Sequence, residues 1–386
     1  MKMASSSLSK TKTPGIVRII QTGDWHFCQN RTPTANIIRS LNYIFYEKES
    51  LAETDLVIVN GDVWDTLVTL PNDDAILARE WIRKFVNDCE MHNVTLDVLE
   101  GTPDHDWKQS SEFVAFETKC NVRHITQLSI IRHEHLDLNI LYVPDEWKPT
   151  MEGVWQDVCH VMSEAGLERV DLACVHGGFD FNFPPEYGIK SHSSERYSNI
   201  VKYACFANHI HTAKHHLKVH GPGSPDRLAQ GEEGDKGYHR VVIDQKAETI
   251  NIQWIKNPHA WTHKTIDVQG MNLDQIVQIT RETAKPLRAG SYLRLKNGEP
   301  LVVKSALITL RLEIKHVIFE YKNKKQNGIM QNSGTQKANG ARYTGVHINK
   351  TNAVDVLVGW LNTKGLVSEG QSSLLEQTLR TAMSSK

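Results

Sequence analysis

Histidine and aspartate crowd five short segments of this chain, and those two residue types together suit a divalent cation bound through nitrogen and oxygen. The segments are Asp24-Trp25-His26, Gly61-Asp62 with Asp65 close behind, Gly101-Thr102-Pro103-Asp104-His105-Asp106, His176-Gly177-Gly178 and Asn208-His209-Ile210-His211. An Asp and a His two residues apart can serve one cation. A carboxylate has two oxygens and about four lone-pair sites, so Asp62 can bridge two cations. Asp104 and Asp106 flank His105. His209 and His211 project two imidazoles to the same side of an extended segment, the strongest single signal of the five. Each segment also has a plain reading. Asp24 can cap a helix, Gly-Asp and the Pro103 segment are ordinary turn chemistry, and a histidine at a strand end can be satisfied by hydrogen bonds. Repetition in order decides the matter, because each segment closes an apolar run.

Those runs are the elements that must position the chemistry. Ile16–Ile20 leads into QTGDWH, Leu56–Val59 into NGDVWD and Thr95–Leu99 into EGTPDHD. Leu138–Val143 leads into PDEW, Leu172–Val175 into HGG and Tyr203–Phe206 into ANHIH. Short runs rich in Val, Ile and Leu predict buried strands. The amphipathic stretches Thr34–Lys48, Asp74–Met91 and Met151–Ala165 predict helices between them. Alternation of the two predicts a layered α/β domain, in which functional residues gather at the carboxyl ends of strands.

The chain has 386 residues, enough for two or three domains. Its formal net charge is -1, so bulk charge names no partner and any nucleic-acid surface must be a local patch. None of the six cysteines falls in a CxxC pair, which argues against a structural zinc site of that type, and several sit inside apolar runs as free thiols would, for which a reducing cytoplasm is the simplest setting. Residues 1–14 are polar and basic, without the apolar stretch of a secretory signal, and read as a disordered tail. No apolar run reaches membrane-spanning length.

After about residue 263 the character changes. Residues 281–325 carry eleven Lys or Arg against four Asp or Glu. The runs Tyr292–Leu295, Leu301–Val303, Leu307–Leu312 and His316–Tyr321 predict strands of a small basic domain. Residues 326–345, rich in Gly, Asn and Gln, read as a linker. Residues 346–386 predict two helices. One has Val354, Leu357, Val358 and Leu361 on one face, and the other starts at a capping box from Ser373 to Glu376.

Taken in order, the five segments resemble the calcineurin-like metallophosphoesterase superfamily, whose pattern is DxH, GD, GNH(D/E), H and GHxH. The resemblance covers residues 16–245. The stretch HGPGSPDRLAQGEEGDKGYHRV (220–241) and Ser193-Ser194-Glu195-Arg196 resemble the SbcD-type nucleases within it. The resemblance implies an α/β/β/α sandwich over 15–263, a small α+β capping domain over 264–325 that contacts DNA, and terminal helices that bind a partner. It implies that Asp24, His26 and His211 hold one metal, that Asp62 bridges, and that Asp104, His176 and His209 hold the second. His105 would be the catalytic histidine, with Asp106 either orienting it or capping the turn. Mixed carboxylate and imidazole ligands favour Mn²⁺ or Fe²⁺ over zinc, and two Mn²⁺ ions are the expected cofactors.

The implied activity is DNA exonuclease or endonuclease cleavage by a hydroxide activated between two cations. The implied partners are DNA, an SbcC-like coiled-coil ATPase and a second copy of the chain, with no membrane, in the cytoplasm of a bacterium or of a phage-infected host. Two departures stand out. Asp104 takes the place of the family's Asn before the catalytic histidine, reached through an extra Thr-Pro, and Asn208 takes the place of Gly before HxH. The competing readings are a phosphoesterase of small nucleotides or phosphoproteins, and a catalytically weakened scaffold for the ATPase.

Overall fold

The computed structural model describes residues 13–68, 72–116, 122–145 and 150–322. Most of the expected N-terminal tail, the linker 326–345 and the helices expected over 346–386 lie outside the described residues. The chain divides into two compact units, residues 1–325 and 326–386, and the description below is of the first.

Six strands form the first sheet: β1 (Ile16–Thr22), β2 (Leu56–Asn60), β3 (Thr95–Leu99), β4 (Val122–Ile125), and, much later in the chain, β11 (Gly237–Asp244) and β12 (Thr249–Lys256). Their order is β12-β11-β1-β2-β3-β4, parallel from β1 to β4 and antiparallel through β11 and β12. A second six-stranded sheet has the order β5-β6-β7-β8-β10-β9. Its members are β5 (Ser129–His133), β6 (Leu138–Val143), β7 (Val170–His176), β8 (Val201–Asn208), β9 (Lys214–His216) and β10 (Val219–Gly221). The strands from β6 through β7 and β8 to β10 run parallel.

Strand β2 shows why the apolar runs are unbroken. All five of its residues are buried, because both of its faces are covered. Leu56 and Ile58 enter a core shared with Ile140, Tyr142, Leu172 and Phe206 of the opposite sheet. Val57 and Val59 point the other way, toward α1 (Thr34–Asn42) and α2 (Asp73–Met91), among Ile37, Leu41, Trp81, Ile82 and Phe85. The outer face of the second sheet packs on α4 (Met151–Glu164) and α5 (Ser194–Ile200) through Val154, Val158, Met162 and Tyr197. The expected α/β/β/α layering is therefore observed, with α3 (Glu112–Ala115) a single turn before β4.

Beyond it lies a three-stranded parallel sheet of β13 (His263–Asp267), β14 (Ser291–Lys296) and β15 (Val317–Lys322). Helices α6 (Leu273–Ala284) and α7 (Pro300–Glu313) connect its strands and supply Ile276, Val277, Val303, Ala306, Leu307 and Leu310 to its core. The strands expected at Leu301–Val303 and Leu307–Leu312 are corrected by this finding, since both runs belong to α7. Pro300 stands in the first turn, and the Glu299 side chain accepts from the amides of Leu301 and Val302. The buried residues recur at helical spacing, and that outweighs the β-branched composition of the run. Part of the positive charge of this region is answered locally, by Arg281–Glu313 at 2.7 Å and Arg294–Glu320 at 2.9 Å. Among the described residues no helix is long and apolar enough to cross a membrane.

Candidate metal centre

Four of the expected site residues stand on backbone that L-residues seldom adopt: Asp24 (φ 51), His26 (φ 51), Asp62 (φ 50) and His209 (φ 108). Each such residue costs of order 1–3 kcal/mol, and the surrounding structure must hold it there. Here the loops after β1 and β2 are zipped together. The Asp24 amide donates to the Gly61 carbonyl (2.9 Å), His26 to Asp62 (3.0 Å) and Phe27 to Val63 (2.8 Å). Two glycines make the close approach possible. A Cβ on Gly61 would lie 2.1 Å from Nδ1 of His176, and one on Gly101 would lie 2.1 Å from the Asp62 amide.

Three overlapping groups of ligand atoms result, each with its members within 4.8 Å of one another. They are Asp24, His26 and His211; His26, Asp62 and His105; and Asp62, His176 and His209. Asp62 looks both ways. Its Oδ1 lies 3.3 Å from Nε2 of His176 and its Oδ2 lies 3.6 Å from Nε2 of His26. The imidazoles are pre-oriented by the nitrogen that faces away. His176 donates from Nδ1 to the Asn60 carbonyl (2.8 Å), and Nδ1 of His26 meets Asp65 (3.1 Å). Nδ1 of His211 meets Glu232 (2.9 Å). Such outer contacts fix the tautomer and direct the other nitrogen at a cation. Nε2 of His26 is buried and has no hydrogen-bond partner. That orphaned nitrogen, facing a carboxylate within a mixed Asp/His donor set, fits divalent cations.

The electrostatics are those of a site built for positive charge. Burial works against the Asp62 carboxylate, but His176, His26 and His105 around it hold it ionised, well below the usual carboxylate range. Burial likewise opposes charge on His176, and the adjoining Asp62 overrides this to raise its pKa to about 10. His209 is lowered to about 4 by burial and by His176 beside it.

The remaining expectations fall out unevenly. His105 is half-buried, bonded through Nδ1 to the Asp65 carbonyl, with its ring centroid 4.9 Å from that of His26. Asp106 is fully buried and accepts from the amides of Trp64 (3.1 Å) and Gly101 (2.9 Å), so it caps the turn. Burial and the nearby Asp62 push its pKa up to about 8. Asp104 is exposed and belongs to none of the three groups. Thr102 stands nearer: its amide donates to Asp62 (2.6 Å), and its hydroxyl lies 3.3 Å from Asp62 and 3.5 Å from both His176 and His209. Asn208, in the place where the resembled pattern has Gly, is not among the positive-φ residues. It ends β8, and its side-chain amide donates to Asp24 (3.0 Å) while accepting from Gln21 (2.7 Å).

Sequence reasoning gave no role to several residues that shape the centre. Asp65, Thr102, Asn208 and Glu232 hold candidate ligands, and Lys236 holds Glu232 (2.6 Å). Asp145, two residues beyond β6, is half-buried and lines a cavity together with Thr102. The centre opens on two sides. One cavity of about 440 Å³ is lined by His26, Arg31, Asp65, His105 and His211. The other, of about 290 Å³, is lined by Thr102, Asp145, Met151, His176 and His209.

No family model and no curated protein matches the chain. Among solved structures, the Thermus thermophilus protein TT1561 is similar at a TM-score of 0.35 and 11% identity, over 62% of this chain and 99% of that one. GAP50, described as the anchor in the inner membrane complex of Plasmodium, is similar at a TM-score of 0.38 and 13% identity, over 63% of this chain and 85% of that one.

Proposed function

We propose that this chain is a phosphodiesterase that cleaves DNA with two divalent cations, most simply Mn²⁺, as the nuclease subunit of an SbcCD-like complex. One observation carries the reading. Asp62 stands between two clusters of ligand atoms, and the His26 nitrogen facing it is buried without a partner. Asp24, His26, Asp62 and His211 would hold one cation, and Asp62, His176 and His209 the other. Bound there, the cations would supply positive charge against the phosphate and acidify a water for attack.

The protein's own groups do the rest. Asn208 and the His209 amide hold Asp24 in place, at 3.0 Å each. With Nδ1 committed to the Asp65 carbonyl, His105 has Nε2 left to give a proton to the departing oxygen, a role worth roughly 10²–10⁴-fold in rate. A phosphodiester has a substituent on either side of phosphorus, and the cavities on both sides of the centre suit such a substrate. Lysines and arginines of the β13–β15 domain supply sequence-independent contacts to a backbone of phosphates.

The test is a Mn²⁺-dependent assay on linear duplex and circular single-stranded DNA, with a nucleotide phosphodiester and a phosphopeptide alongside. Cleavage of DNA that chelation abolishes is the expected result. Turnover of the nucleotide or phosphopeptide alone would replace the nuclease reading. Metal binding without any turnover would leave a scaffold.

A further inference from the structure

The second group of ligand atoms is short of donors. Asp62, His176 and His209 offer three, and cations that favour mixed carboxylate and imidazole sites commonly take more. Charge is short as well. Two divalent cations carry four positive charges, and the ligand groups that hold them contain only two carboxylates, Asp24 and Asp62.

Topology brings one more carboxylate to this place. Strands β6 and β7 pair in parallel with Val143 opposite Val175, so Asp145, two residues on, reaches the level of the His176-Gly177 turn. It shares a cavity wall with Thr102, whose hydroxyl lies within 3.5 Å of ligand atoms from all three members of the group. Asp145, Thr102, His176 and His209 line one cavity. Asp104 lines the same cavity from an exposed position, whereas Asp145 is half-buried there, and in the metal-free protein neither belongs to the groups of ligand atoms within 4.8 Å.

We propose that Asp145 is a protein ligand of the second cation, in the role the sequence pattern assigns to Asp104. The inference rests on the two-cation reading above. The extra Thr-Pro then has a physical meaning. It places a short neutral hydroxyl where a longer amide side chain would otherwise reach the cation, and a carboxylate from the neighbouring sheet fills the gap.

Mn²⁺ titration of the full chain by calorimetry, with metal analysis of the dialysed protein, tests this. Wild type takes up two ions. Asp145→Ala keeps one at wild-type affinity and binds the other at least tenfold more weakly, while Asp145→Asn, which retains an oxygen donor, loses less. Asp104→Ala binds both ions as wild type does. Far-ultraviolet circular dichroism and melting of the metal-free variants confirm that each is folded. Two ions at wild-type affinity in Asp145→Ala, or loss of one in Asp104→Ala instead, would overturn the assignment of Asp145 and leave the two-cation reading standing. A wild-type chain that takes up no Mn²⁺ would overturn both.

Discussion

Nε2 of His26 faces Oδ2 of Asp62 across 3.6 Å, buried and without a hydrogen bond, while the other nitrogen of the same ring is held by Asp65. A buried polar atom left without a partner costs about 1–3 kcal/mol. A cation between the two residues removes that cost, so metal should stabilise the fold. Addition of Mn²⁺ to chelator-treated protein is expected to raise the melting temperature, by the equivalent of about 2.7 kcal/mol at a hundred times the dissociation constant. In Asp62→Ala most of that gain should vanish. A melting temperature indifferent to Mn²⁺ in wild type would remove the basis for the metal centre.

Replacement of His105 separates catalysis from binding. His105→Ala is expected to lose roughly 10²–10⁴-fold in DNA cleavage and to keep both metal ions. The geometry makes this a sharp test, because His105 also belongs to a potential ligand group with His26 and Asp62. Metal analysis of the purified variant decides. Loss of metal in step with activity would make His105 a ligand.

Metal uptake should release protons. In the metal-free protein His176 holds its proton up to a pKa of about 10, because Asp62 adjoins it against the opposing effect of burial. A cation can take Nε2 only by displacing that proton. Mn²⁺ affinity is therefore expected to rise with pH from 6 to 9. Calorimetry at pH 7.5 in buffers of different ionisation enthalpy should show close to one proton leaving with the ion at that site. Binding enthalpies that do not depend on the buffer would contradict this.

The core of this candidate centre is legible in the sequence because its proposed ligands follow buried strands. Asp24, Asp62, His176, His209 and His211 follow the apolar runs of β1, β2, β7 and β8 directly. What supports them is not, since support comes from residues distant in sequence. Asp145 and Thr102 come to one cavity only when the two sheets stack, and Glu232 reaches His211 from a loop 21 residues on. The pattern GxxDHD draws the eye to Asp104 through its spacing, yet the turn places Thr102 in the centre and Asp104 at the surface. Helix α7 was obscured for a different reason. Its Val, Ile and Leu content resembles strand, and only Pro300 and the spacing of Val303, Ala306, Leu307 and Leu310 reveal the helix.

Glu232 joins His211 to a buried lysine. Its Oε1 contacts Nδ1 of His211 at 2.9 Å, and its Oε2 receives Lys236 at 2.6 Å. Lys236 is 3% exposed, so Glu232→Ala leaves its ammonium in the interior with only the neutral His211 carbonyl (2.7 Å) and Ser224 hydroxyl (3.0 Å) for partners and should cost about 3 kcal/mol. Adding Lys236→Met should recover most of that stability. Metal affinity should not recover with it, because His211 still lacks the carboxylate that orients it, and loss of such a partner typically weakens binding 10–100-fold. Urea denaturation and Mn²⁺ titration of the single and double variants check both halves. Recovery of metal affinity in the double variant would show that Glu232 acts on stability alone.

Acid should unfold this protein from a pH where most carboxylates are still ionised, because several of its histidines are held neutral by burial, His192 and His239 among them. Burial lowers His192 to about 4, with His209 and His176 adding to the effect, and lowers His239 to about 3, with His220 and His215 adding to it. Both side chains are nearly inaccessible, at 7% and 5% exposure. An unfolded histidine takes up a proton near pH 6.5. Between that pH and the folded values, the unfolded chain binds more protons than the native one. Stability must then fall as pH falls, by up to about 1.4 kcal/mol per pH unit for each histidine. His176 has the opposite sign and a different window, since its raised pKa adds stability below pH 6.5 and loses it toward pH 10. The slope on the acid side therefore belongs to the buried neutral pair together with His209, His220 and His263, all lowered to about 4 chiefly by burial, and it is opposed by Asp106 and Asp226, whose carboxyls burial raises to about 8 and about 6. His239→Gln isolates one member. Glutamine stays neutral throughout and can still donate to Gln21, which His239 contacts at 3.0 Å. Urea denaturation of the metal-free protein between pH 6.5 and 4.5 is expected to give a shallower slope in the variant, by about 1 kcal/mol per pH unit. Identical slopes in the two proteins would mean that His239 takes up its proton without leaving its place in the fold.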